Sequence, residues 1–98
     1  MVFIMTVLTK KQEKKLELYF YCVAAGADPN GWRKPIQDTW AKYKGSMAAE
    51  AMARRYGLKE NSKTIYREMG VSQDTFYSWR REFLISAALA GIRSGLKF

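Results

Sequence analysis

The sequence contains no histidine, one cysteine and only two prolines. Each shortage excludes something. Cys22 sits in the apolar run Leu18–Ala25 with no basic neighbour, so neither a Cys/His zinc site nor a nucleophile–base pair has its parts. The carboxylates are scattered singly, and no glycine-rich phosphate loop is present. No enzyme is expected, and no cofactor or metal. A lone cysteine cannot close an intrachain disulfide, which suits a reducing compartment, and a buried thiol is expected of it. Long apolar runs are missing as well. The opening Met1–Leu8 is apolar but far too short to span a bilayer. It lacks the basic start and small-residue cleavage site of a signal peptide. It reads as a tail (residues 1–8, with Met5 an alternative start), the expected location is cytoplasmic, and no membrane partner is expected.

Hydrophobic residues make up 48% of the 98 residues and aromatics 14%, too apolar for disorder. The length fits a single domain, here residues 9–98. With few prolines and seven glycines, long stretches are free to be helical. Seventeen Lys plus Arg against nine Asp plus Glu give a net charge of +8. Such an excess favours a polyanion, because neutralising phosphates releases condensed counterions. DNA, RNA and an acidic membrane all satisfy that condition. Residues 1–30 are nearly balanced, with four lysines and three acids, so the excess lies in the middle and C-terminal parts.

Along the chain the hydrophobic spacing is helical throughout, and no β-type alternation competes with it. Thr9-Lys10-Lys11-Gln12 matches a capping box and opens a helix with Leu16, Tyr19, Phe20 and Val23 on one face, stopped at Gly26. Lys10, Lys11, Lys14 and Lys15 can touch phosphate, although a solvated face is the commoner role of such a cluster. Asp28-Pro29-Asn30-Gly31 marks a turn. A second helix is expected over Pro35–Tyr43, with Pro35 first and Ile36, Trp40 and Tyr43 on one side. Ser46 caps a third over Met47–Tyr56, whose apolar face is Met47, Ala51, Met52 and Tyr56. A fourth opens at Ser62 or Lys63 and runs to Met69. A fifth begins at Gln73, capped by Ser72, and can continue to Gly91. The expected fold is all-α, a compact bundle of about five helices.

The segment Thr64–Phe83 carries the main inference. Ile65 and Met69 are one turn apart and face inward. Gly70 permits the positive φ of a tight turn, Val71 fills the corner, and Ser72 caps the next helix, which Phe76 and Trp79 anchor. This pattern resembles the helix-turn-helix of homeodomain-like DNA-binding proteins. Together with Leu8-Thr9-Lys10-Lys11-Gln12 at the start and Tyr77-Ser78-Trp79-Arg80 near the end, it is similar to phage small-terminase and insertion-element transposase DNA-binding domains. That resemblance implies double-stranded DNA as partner, with the start of the second helix presented to a major groove. It further implies a phage or mobile-element regulator or packaging subunit that marks DNA for a larger machine, usually as an oligomer. Tyr66 stands where such motifs carry a small residue, so either the two helices splay or Tyr66 turns aside.

Gln73, Asp74, Tyr77, Ser78 and Arg81 lie away from Phe76 and Trp79 and are the candidate groove contacts. Gln73 suits an adenine edge, and Arg81 a guanine or a phosphate. Asp74 fits a helix N-terminus electrostatically as well as it fits a base, and Tyr77 can pack or hydrogen-bond to phosphate. Arg80, Lys63 and Arg67 are expected to position the backbone. The alternative function is a helical adaptor that holds a protein through Trp32, Trp40 and the stripe Leu84, Ile85, Ala88, Leu89 and Ile92. The same stripe can serve self-association or the domain's own core.

Overall fold

The computed structural model describes residues 8–98, which form five α-helices and, among the described residues, no strand. Of the expected tail, residues 1–8, the first seven lie outside the described residues; Leu8 is half-buried and packs against the core, so it belongs with the domain. The elements are α1 (Lys10–Ala24), α2 (Arg33–Lys42), α3 (Met47–Met52), α4 (Ser62–Glu68) and α5 (Gln73–Arg93). None of these helices is long and apolar enough to cross a membrane.

Local chemistry accounts for most of the boundaries. Thr9 and Gln12 form the capping box: the Gln12 amide donates to Thr9 Oγ1 at 3.1 Å, and the Thr9 amide to Gln12 Oε1 at 3.0 Å. Two orphan donors are satisfied reciprocally. Ser46 accepts from the Ala49 amide at 3.1 Å, and Ser72 from the Thr75 amide at 3.1 Å. Ser72→Ala should therefore cost about 1 kcal/mol of stability, read as a lower urea midpoint at unchanged m-value.

Several boundaries differ from expectation. Helix α2 starts at Arg33, two residues early, because the Asp28 carboxylate accepts from the Arg33 amide at 3.1 Å. Pro35 becomes the third helical residue, where its missing N–H still costs nothing. Helix α3 leaves the α-form at Met52 and widens into a π turn, Ala53–Gly57, with the Leu58 amide bonding Ala53 O at 3.2 Å. Met47, expected on the apolar face, is exposed, and Ala48 is buried. Helix α4 is capped by Asn61, whose side chain accepts from the Lys63 amide at 2.9 Å. Cys22 is only half-buried.

Helix α5 spans 21 residues, about 31 Å at 1.5 Å per residue, and every other helix touches it. Its core stripe is Phe76, Phe83, Leu84, Ala87, Ala88 and Gly91. Trp40 of α2, Tyr43 at its C-terminal cap and Phe20 of α1 gather around Phe83 at 4.7 to 6.3 Å between ring centroids. Farther along, Trp32 lies against Gly91 and stacks with Tyr19 at 5.8 Å and with Phe98 at 5.2 Å. Its indole N–H donates to Lys97 O at 3.3 Å. The C-terminal half of α5 thus sits in an aromatic core, and its first turns project toward α4.

Candidate nucleic-acid interface

The turn between α4 and α5 is closed by two backbone bonds. The Val71 amide reaches back to Tyr66 O at 3.0 Å and the Gly70 amide to Arg67 O at 3.2 Å, with Gly70 at φ +70°. This is a Schellman cap, which needs a left-handed residue where only glycine is free of steric cost. Ser72 then caps α5 at once, so the chain passes between the helices in four residues, Met69–Ser72. Val71 stays half-buried at this corner. Ile65 is fully buried on α4 and Phe76 on α5. Tyr66 is not turned aside: it packs partly buried on the core, its ring 5.9 Å from that of Phe76. Trp79 is half-buried on the flank, and Phe83 serves as the deeper anchor.

On α5, Gln73, Asp74, Ser78 and Arg81 are all exposed, and Asp74, Ser78 and Arg81 share the side opposite the core stripe. Asp74 sits in the first turn, where its charge suits the helix dipole, while Ser72 supplies the capping hydrogen bond. Tyr77 is half-buried, edge-on to Phe76 at 5.2 Å, which favours its packing role. On α4, Lys63 and Arg67 are exposed, one turn apart and opposite Ile65.

Arg80 is placed elsewhere. It follows Phe76 by four residues and precedes Phe83 by three, so it falls on the core stripe. Its Nε donates to Glu17 Oε2 at 2.8 Å and its Nη1 to Glu13 Oε1 at 3.4 Å. The Tyr56 hydroxyl donates to the same Glu17 oxygen at 2.8 Å. Burial alone would raise the Glu17 pKa, but the hydrogen bonds from Arg80 and Tyr56 and the nearby guanidinium charges outweigh it and hold the carboxyl below its usual range. Burial and the Glu17 charge push the Tyr56 phenol far up, so it stays a donor. Arg80 therefore ties α5 to α1 and is not presented with the other candidates.

Arg54 makes a second tie. It chelates Glu60 at 2.9 and 2.6 Å and pairs with Glu68 at the end of α4. Neither ion cluster was expected from the sequence. The legible hint for the first is the 3–4 spacing of Glu13 and Glu17 on an otherwise basic helix. With Arg80 and Arg54 engaged internally, the exposed cations of the motif are Lys63, Arg67 and Arg81, set against Asp74 and Glu82.

The expected apolar stripe divides. Leu84 and Ala88 belong to the core, Ile85 and Leu89 are half-buried, and Ile92 is 54% exposed. Trp32 is fully buried and Trp40 packs partly buried on the core. A depression of about 230 Å³ between α2 and α5, bordered by Asp38, Lys42, Leu89 and Arg93, is smaller than ordinary small-molecule pockets. No group of three or more potential metal ligands occurs among the described residues. Compared with known proteins, the chain matches no family model, no curated sequence and no solved structure.

Proposed function

We propose that this chain binds double-stranded DNA through α4, the Gly70 turn and the first turns of α5. The observation that carries the reading is the pairing of a tightly closed interhelical turn with two different faces on α5. Phe76 and Phe83 are buried on one face, while Asp74, Ser78 and Arg81 stand exposed on the other. A helix held so firmly along one side offers the rigid polar edge that major-groove reading requires. Gln73 and Ser78 are the base-reading candidates, Arg81 reads a guanine edge or clamps a phosphate, and Lys63 and Arg67 hold the backbone. The net charge of +8 supplies the nonspecific attraction.

The adaptor reading loses its strongest handle, since Trp32 is fully buried. The resemblance to small-terminase and transposase domains makes a regulator or a packaging subunit the matching biological role. Selection from a pool of random duplexes is the test. Enrichment of a defined site supports the reading, and a palindrome would identify a dimeric regulator. A pool that emerges unenriched, with no retention at low salt, overturns it. Arg81→Ala should weaken duplex binding severalfold without changing stability. Unchanged affinity at low salt would remove Arg81 from the interface.

A further inference from the structure

The α4–α5 motif has few free cations, yet four exposed lysines crowd the start of α1. Lysines there oppose the helix dipole, so their placement does nothing for the helix itself. No ion pair engages Lys10, Lys11, Lys14 or Lys15 among the described residues. Geometry divides them. At about 100° per residue, Lys10 and Lys14 fall within about 80° of the line through Glu13 and Glu17, and Lys11 and Lys15 lie about 140–180° from it.

That line is the one Arg80 grips, at 3.4 Å to Glu13 and 2.8 Å to Glu17. The contacts between the helices ascend together, from Glu13 and Glu17 on Arg80 to Phe20 on Phe83 at 6.3 Å. The first turns of α1 therefore point the same way as the exposed first turns of α5. Arg80 offsets one of the two glutamate charges, and with Lys10 and Lys14 beside them the charge left on this flank is positive.

We infer that Lys10 and Lys14 form a second phosphate clamp for the duplex, held in register with the α5 edge by the Arg80–Glu13–Glu17 ion cluster. The inference rests on the DNA-binding reading and adds a surface outside the helix-turn-helix. Duplex lying against α5 then meets two lysines from α1 on its backbone, and Lys11 and Lys15 remain in solvent.

Two double variants with equal charge loss test this: Lys10→Gln with Lys14→Gln, and Lys11→Gln with Lys15→Gln. All four positions are exposed, and helical circular dichroism confirms that each variant stays folded. Binding of the full chain to a labelled duplex is measured across a salt series. Each lost phosphate contact lowers the slope of log K against log salt by about 0.9. The Lys10/Lys14 variant should therefore be shallower by about 2, and the Lys11/Lys15 variant by less than half as much. Equal changes in the two variants, or an unchanged slope in the first, overturn the clamp while leaving the α5 contacts standing. A wild-type chain that binds no duplex overturns both together.

Discussion

Replacing Arg80 with alanine should cost about 3 kcal/mol of stability, because removing one partner of a largely buried ion pair strands the other without compensation. The side chains of Arg80 and Glu17 are 19% and 16% exposed, so water softens the loss and the lower end of the usual range applies. Arg81, next in sequence and fully on the outer face, should show the reverse: full stability and weakened DNA binding. Urea midpoints and duplex affinities measured on the two variants separate the roles. Equal stability of the two variants would contradict the assignment of Arg80.

The same cluster sets an acid limit. Glu17 is held below its usual pKa range by Arg80 and Tyr56 against the opposing effect of burial. A carboxyl whose folded pKa is depressed adds stability above its unfolded value, about 4.3, and that stability is lost as pH falls through the folded pKa. Wild type should therefore lose stability below about pH 4. Glu17→Gln should be weaker at neutral pH and have a flatter acid limb.

The second large effect is expected at Gly91. A Cβ there would come within 2.2 Å of Trp32 Cζ3. The indole is held in place, since it stacks with Tyr19 and with Phe98 and is hydrogen-bonded to Lys97 O. Alanine normally improves a helix interior by about 1 kcal/mol over glycine. Here overpacking opposes that gain, and Gly91→Ala should be net destabilising by about 2 kcal/mol or more. Gly57→Ala is the matched control: nothing lies within 4 Å of its Cβ position, and it should be neutral or slightly stabilising. Thermal melts of both variants decide the point. A Gly91→Ala protein as stable as wild type would mean that Trp32 does not press on α5.

The helices and the turn were legible because they depend on neighbours in sequence. Thr9 with Gln12, Ser46, Gly70 and Ser72 each act within a few residues, and each behaves as its chemistry dictates. The π turn was not legible, since it depends on Arg54 and Arg55 reaching forward to Glu60 while Tyr56 swings in to Glu17. The exposed face of α5 followed from spacing alone, as Asp74, Ser78 and Arg81 show, whereas Gln73 is exposed off that face at the helix start. Arg80 did not, although its place on the Phe76–Phe83 stripe was visible. Its partners lie more than sixty residues away on α1, and an arginine on a core stripe is recognised only once the facing carboxylates are known.

What the α5 edge touches is tested most directly by the salt dependence of this chain's binding to a labelled DNA duplex. The association constant should fall steeply and log-linearly between about 50 and 200 mM salt, with a slope shallower by about 1 in Arg81→Ala if Arg81 holds a phosphate. No binding at the lowest salt, or an affinity indifferent to salt, would contradict it.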